Sequence, residues 1–131
     1  MINIKKFEFN KSYKEVEIAG EVYKIEFNDE KLMEYQEEFL SYYRKAKDIN
    51  ELDGEELEKE DLVGAFEDAR EITKEVLDVV LGEGTFDVLY EKSGHSTLGM
   101  VDVVDFISDI VGEGMEDIRD RRKQDYIPKT T

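Results

Sequence analysis

The stretch Val79–Gly94, V-V-L-G-E-G-T-F-D-V-L-Y-E-K-S-G, decides how this chain folds. An apolar helical stripe runs into a glycine pair that begins at Gly82. Glycine suits the left-handed conformation that closes a helix, and Thr85 has a side-chain oxygen of the kind that caps the next one. The pattern therefore predicts a helix that stops before the pair, a short helix over Phe86–Lys92, and a fixed angle between the two.

Two longer helices are predicted upstream of this stretch. The first starts after Asn28 or Asp29, either of which can cap it, and the second starts near Leu57 or Asp61. The acidic segment Asp48–Asp61 is the expected loop between them. Apolar residues recur at helical spacing in both helices. The first stripe is Leu32, Tyr35, Phe39, Tyr43 and Ala46, and the second is Leu62, Phe66, Ala69, Ile72 or Thr73, Val76 and Val80.

The first 27 residues have the alternating pattern of β-strands. Val16 and Ile18 alternate with glutamates, a turn follows at Ala19-Gly20, and then Tyr23, Ile25 and Phe27 alternate with charged residues. This is the pattern of a hairpin with one buried face. We expect Phe7 and Phe9 either to add a third strand or to pack against the hairpin.

A last long helix begins at Ser96 and is apolar over a wide arc. One line contains Leu98, Val101, Val104, Ile107 and Val111, and the adjacent line contains Met100, Val103, Phe106 and Ile110. Such an arc is wider than one core contact requires, so the helix is either central or offers a flank to a partner. The candidate partner-binding residues are Tyr42, Met100, Val103, Phe106 and Ile110. A second glycine pair, at Gly112 and Gly114, is expected to kink or end the helix.

These elements predict an α+β fold that is mostly α. An N-terminal β-hairpin or small antiparallel sheet packs on a bundle of about four helices. We expect a single domain over residues 1–131, with the hairpin region in 1–27, the helical region in 28–125 and a frayed tail in 126–131.

The composition excludes several classes of partner. The chain has 34 acidic and 18 basic residues, for a formal net charge of −16. Acidic surfaces repel phosphate, so nucleic acid and anionic membranes are not expected partners. The charge fits a solubility coat, and it also fits DNA mimicry or capture of a basic partner. There are no cysteines and no apolar signal or membrane-spanning segment, which favours a cytoplasmic protein.

Motifs that carry chemistry are weak, so we predict no catalytic residue, cofactor or metal site. Glu51, Asp53, Gly54 and Glu60 match parts of a calcium-binding EF-hand loop, but Ile49 stands where the first ligand belongs. His95 is the only histidine, and no nucleophile elbow accompanies the serines beside it. The only concentrated bases alternate with acids, as in a salt-bridged helix end: Arg119, Arg121, Arg122 and Lys123.

The order of motifs resembles the tail assembly chaperones of long-tailed bacteriophages and related prophages of Gram-positive hosts. Three stretches carry the resemblance: the hairpin Ile18–Phe27 in the form I-A-G-E-V-Y-K-I-E-F, the helix and glycine break in Val76–Tyr90, and the apolar helix Val101–Val111. The central loop around Asp53-Gly54 and the tail after Gln124 lie outside it.

The resemblance implies a non-enzymatic role in the cytoplasm of a bacterial host. Such chaperones bind the tape measure protein, keep its apolar helices soluble and help to recruit tail tube subunits, and they often self-associate. The family has no catalytic set, so the resemblance assigns no functional residue. Two other interpretations stay open at this point: a structural head–tail connector or tail-completion protein, and an acidic inhibitor that mimics DNA.

Overall fold

A two-stranded hairpin followed by four helices makes up the described part of the chain, which confirms the predicted α+β architecture. The computed structural model describes residues 3–9, 11–51 and 59–126, with side chains placed in 3–9, 11–47 and 62–116. The elements are β1 (Tyr13–Ile18), β2 (Glu21–Glu26), α1 (Asp29–Glu51), α2 (Lys59–Leu81), α3 (Thr85–Lys92) and α4 (Thr97–Tyr126).

The hairpin forms where the alternation predicts it. β1 and β2 pair antiparallel, with Ile18 opposite Glu21 at the turn. Ala19 and Gly20 both have positive φ, 51° and 84°, which is the type I′ geometry that matches the twist of paired strands. The buried face consists of Val16, Ile18 and Ile25.

The prediction for Phe7 and Phe9 is wrong. The described sheet has two strands, and both phenyl rings are exposed. The two rings contact each other edge to face, with centroids 5.0 Å apart. Neither ring therefore contributes to the core.

Side chains cap the helices at two of the predicted positions. The Asn28 carboxamide oxygen accepts from the Lys31 N–H at 2.9 Å, and the Ser96 hydroxyl accepts from the Gly99 N–H at 2.9 Å. Thr85, in contrast, is the first residue of α3 and caps nothing. Gly84 takes the N-cap position and has no side chain, and the Asp78 carboxylate of α2 accepts from the Phe86 N–H in its place.

The two glycine pairs have different outcomes. Gly82 and Gly84 have positive φ, 119° and 87°, and they separate α2 from α3 as predicted. Gly112 and Gly114 lie inside α4, which continues to Tyr126, so the prediction that this pair could end the helix is wrong. A helical glycine costs only about 1 kcal/mol relative to alanine, which a packed helix tolerates.

The predicted loop Asp48–Asp61 is too long. α1 continues to Glu51 and α2 begins at Lys59, so helix occupies both ends of the segment. Acidic composition led to the loop assignment, but Asp and Glu are compatible with a helix that packing supports. Residues 52–58 and the tail residues 127–131 lie outside the described part, whereas Tyr126 belongs to α4 and not to a tail.

The core lies around α2, which contacts α1, α3, α4 and β2. One cluster of buried side chains joins the hairpin to all four helices. Burying one large apolar side chain contributes about 1.5–3 kcal/mol, so this cluster is the main source of stability. Its most deeply buried members are Ile25, Tyr35, Val76, Leu77, Leu89, Met100, Val104 and Ile107.

A polar contact fixes the hairpin turn to α3. The Lys92 ammonium donates to the Glu21 carboxylate at 3.1 Å and to the Ala19 carbonyl at 3.4 Å. The hydrogen bond from Lys92, and then its positive charge, lower the pKa of Glu21. The turn is therefore held against the end of a short helix as well as through the core.

Candidate functional site

α1 and α4 both flank α2, and their facing edges form a shallow surface. The Tyr43 hydroxyl and the Ser108 hydroxyl form a hydrogen bond of 2.7 Å across it. A groove lies on each side of this bond between α1 and α4, and one of the two is also lined by five side chains of α2 between Leu62 and Ile72. We call the whole surface the α1–α4 seam and name the grooves by the residues Leu98 and Leu40.

The Leu98 groove is lined by aliphatic and aromatic side chains. Its volume is about 340 Å³. Leu62, Phe66 and Leu98 stand exposed at its border, and Leu98 is 68% exposed. Alanines widen the groove because they place only a methyl group along it. The full lining is Tyr42, Ala46, Leu62, Ala65, Phe66, Ala69, Ile72, Leu98 and Val101.

The Leu40 groove is similar in size but more polar. Its volume is about 360 Å³. Leu40 and Tyr43 are exposed at its edge, and Phe39 and Val111 lie deeper. Polar groups contribute to the wall through Gln36, Ser108 and Glu116. Together the two grooves give the seam a discontinuous row of accessible apolar side chains.

One side of the seam is strongly acidic. From Thr97 to Glu116, α4 contains five carboxylates and no lysine or arginine. In the described part of the chain, no salt bridge involves the exposed residues Asp102, Asp105, Asp109 and Glu116. Burial, with a further contribution from the Asp105 carboxylate, raises the pKa of Tyr42 to about 12. The negative charge of Asp105 therefore acts on a side chain that lines the Leu98 groove.

The structure corrects the predicted partner-binding residues. Met100 is only 2% exposed and belongs to the core, so it is not a surface residue. Val103 and Ile110 are partly buried against that core. Phe106 is 43% exposed and is the one predicted α4 residue that stands clearly in solvent. The core line of α4 is Met100, Val104, Ile107 and Val111, and Leu98 is exposed.

The two adjacent tyrosines exchange their predicted roles. Tyr42 is 6% exposed and Tyr43 is 52% exposed, the opposite of the prediction that Tyr42 is the accessible one. Both lie at helical spacing from Phe39, so periodicity alone permits either assignment. α1 packs with Tyr35, Phe39 and Tyr42 inward, which turns Tyr43 toward Ser108.

Sequence reasoning did not identify the border of the Leu98 groove. Leu62 and Phe66 were assigned to a core stripe because they continue its spacing toward the start of α2. In the structure the stripe continues but both side chains are exposed. Two features of the sequence indicate the groove: the apolar stripe of α2 is long, and three alanines, Ala46, Ala65 and Ala69, leave space beside it.

His95 does not form a catalytic arrangement with its neighbouring serines. Its Nε2 lies 2.8 Å from the Glu91 carboxylate, and its ring stacks on Tyr90 with centroids 5.0 Å apart. The Ser93 hydroxyl donates to the Tyr90 carbonyl, and the Ser96 hydroxyl caps α4. The local hydrogen bonds thus shape the turn before α4.

The described residues hold no group of three or more His, Asp or Glu side chains placed to bind a metal ion. Within the same ranges no helix has the length and apolar character to cross a membrane. The centre of the EF-hand-like segment, at Asp53 and Gly54, lies outside the described residues. The side chains of the basic cluster at Arg119–Lys123 lie outside them too.

Comparisons with family models, curated proteins and solved structures find no match to this chain. The function must therefore be inferred from the seam and from the sequence motifs. An apolar groove beside an acidic helix edge is suited to an amphipathic segment that places its apolar face in the groove.

Proposed function

We propose that this protein is a non-enzymatic chaperone that binds an apolar helical segment of a client protein along the α1–α4 seam. The client we propose is a phage tape measure protein, kept soluble during tail assembly. The observation that carries the proposal is the exposed apolar row of the seam, formed by Leu40, Tyr43, Leu62, Phe66 and Leu98.

The seam has suitable dimensions for a helix. Between Leu98 and Met115 α4 extends about 25 Å, at 1.5 Å per residue. A client helix of four to five turns has about this length, and it would place one apolar stripe over both grooves. The discontinuity at the Tyr43–Ser108 bond then separates two sets of anchors on the client.

The charge of the protein supports a holding role. A chaperone bound to an apolar client must keep the complex dispersed, and a net charge of −16 provides repulsion between complexes. The same charge favours a client segment that carries lysine or arginine beside its apolar stripe, because α4 presents exposed carboxylates there.

The motif resemblance supplies the biological setting. The stretches that resemble tail assembly chaperones form the hairpin turn with β2, the α2–α3 junction and part of the N-terminal half of α4. The hairpin and the α2–α3 junction share one buried cluster with α1 and α4, which fixes where these two helices lie. The proposed recruitment of tail tube subunits and the bacterial cytoplasm as location come from this resemblance.

Co-expression with the long helical protein encoded immediately downstream tests the proposal. We expect that protein to become soluble and to co-purify with the wild-type chain. Leu98→Glu places a charge in the groove and should abolish both effects. Val88→Glu is the matched control, since Val88 is exposed on α3 and does not line the seam. The proposal fails if the client's solubility is the same without the chaperone.

A further inference from the structure

The N-terminal arm, residues 3–9, exposes apolar side chains that no described part of its own chain covers. It is neither helix nor strand. Phe7 is 78% exposed and Phe9 is 90% exposed, and Ile4 is also exposed. Exposed apolar residues concentrated in one short segment commonly mark an interaction site.

The arm has two chemically different sides. The Lys6 ammonium and the Glu8 carboxylate form a salt bridge of 2.9 Å. The rings of Phe7 and Phe9, which alternate with them, contact each other at 5.0 Å between centroids. This alternation is that of an extended chain, in which residues two apart share a side. The arm therefore presents a paired aromatic side to a partner.

The charge of the arm is opposite to that of the body. The arm contains two lysines, Lys5 and Lys6, and a single acid, Glu8, and a third lysine, Lys11, follows it. The chain as a whole has a net charge of −16. A basic segment is attracted to the carboxylates of α4, and Asp102 and Asp105 lie beside the lining residues Leu98 and Val101.

We infer that the arm of one copy docks in the Leu98 groove of a second copy. The aromatic pair enters the apolar groove, and the lysines lie along the acidic border of α4. Seven extended residues span about 23 Å, so the arm is long enough to follow the groove. The arm does not pack on the described part of its own chain, so the groove that it enters is that of a second copy.

This inference goes beyond the proposed function and does not depend on a client. It gives the groove an occupant in the free protein. Two acidic bodies repel each other, so association between copies requires a specific attraction of this kind. If a client also uses the seam, it must displace the arm, and client binding then reduces self-association.

Disulfide trapping tests the inference directly, because the chain has no native cysteine. One preparation carries Phe9→Cys and a second, size-tagged preparation carries Leu98→Cys. On mixing under mild oxidation, we expect a disulfide-linked heterodimer to form several-fold faster than when the second chain carries Val88→Cys. Equal rates at positions 98 and 88, or no heterodimer, overturn the inference. That result is also expected if a client occupies the groove instead.

A second measurement needs no oxidation. Light scattering after size exclusion should show the wild-type chain as a dimer or larger, and Phe7→Ser/Phe9→Ser should shift it to the monomer. Val22→Ser is the control, since Val22 is exposed on the hairpin. Circular dichroism checks that each variant is folded. A wild-type monomer at high concentration, or a serine variant that associates unchanged, contradicts the inference. Neither outcome bears on client binding, so the two proposals fail separately.

Discussion

The Asp78 carboxylate, in the last turn of α2, accepts a hydrogen bond of 3.0 Å from the backbone N–H of Phe86, in the first turn of α3. One helix therefore caps the next across the glycine pair. Gly82 and Gly84 supply the positive φ that brings the two ends together. The Thr85 N–H donates to the Gly82 carbonyl at 3.1 Å and closes the same turn.

We expect Asp78→Ala to lower the free energy of unfolding by about 1 kcal/mol, the usual cost of a lost N-cap. Asp78→Asn should lower the free energy of unfolding much less, because its carboxamide oxygen can still accept a hydrogen bond from the Phe86 N–H. Asp109→Asn is the control, as an exposed acid away from this junction. Urea unfolding measures all three. Equal losses in the Ala and Asn variants would show that the hydrogen bond is not the cause.

Gly114 lies directly against the ring of Phe27. A Cβ at Gly114 would be 2.5 Å from Phe27 Cε1 and 2.6 Å from Cζ, whereas at Gly112 it would meet nothing within 4 Å. We expect Gly114→Ala to destabilise by about 1–3 kcal/mol through overpacking. Gly112→Ala should stabilise by about 0.5–1 kcal/mol through helix propensity.

Thermal or urea unfolding distinguishes these two alanine variants. Combining Gly114→Ala with Phe27→Leu should recover part of the loss, since the smaller side chain vacates the ring position. If both alanine variants stabilise the protein equally, the contact between Phe27 and α4 is absent in solution.

Two buried tyrosines should make the protein sensitive to alkaline pH. Burial is the main cause that raises the pKa of Tyr35 and of Tyr42 to about 12, from 10.0. The unfolded chain loses these protons first, so stability is intact below pH 10 and falls as the pH rises from about 10 to 12. Urea unfolding at pH 9 and pH 11 measures the loss.

Phenylalanine variants separate this effect from general alkaline denaturation. Tyr35→Phe and Tyr42→Phe should flatten the dependence above pH 10, because they remove the titrating group. Tyr13→Phe, on the hairpin, is the control. If the slope is unchanged in both core variants, the alkaline loss arises from other groups.

The fold was largely predictable because its signals are local. Alternation in β1 and β2, the turn glycine and the caps at Asn28 and Ser96 all act within a few residues. The cap from Asp78 was not predictable, since it depends on how α2 and α3 meet. The need for a glycine at position 114 was not predictable for the same reason, because it depends on contact with Phe27, a residue distant in sequence.

The candidate site was less predictable because it depends on where neighbouring helices lie. Periodicity identifies the apolar stripes of α1 and α4 but not how each helix is rotated about its own axis. For this reason the predicted exposures of Tyr42 and Tyr43 are reversed, and Met100 is predicted at the surface although it is buried. Periodicity also does not show whether another element packs on an apolar stripe, so it predicts Leu62 and Phe66 in the core although both are exposed. The acidity of α4, in contrast, was visible directly in the sequence.

Leu98 and Phe106 provide a test of which side of α4 binds a client. Leu98 is largely exposed, so Leu98→Ser should change stability by no more than about 0.5 kcal/mol, whereas Phe106→Ser, which removes a ring that is more than half covered, should cost about 1 kcal/mol. Only Leu98 lines the seam. We expect the client to co-purify with Phe106→Ser but not with Leu98→Ser. The reverse result would move the binding surface to the flank predicted from sequence, beside Val103 and Ile110.

The acidic border of the seam should select the charge of a bound helix. Two labelled peptides with the same leucine stripe, one flanked by lysines and one by glutamates, test this by fluorescence anisotropy. We expect the lysine peptide to bind at least tenfold more tightly, a difference of about 1.4 kcal/mol. Asp102→Asn/Asp105→Asn should reduce the preference, and added salt should weaken it by screening. Glu67→Gln/Asp68→Asn, on exposed α2 positions outside the groove lining, is the control. If the two peptides bind equally, burial of the apolar stripe alone determines affinity, and the carboxylates of α4 serve solubility.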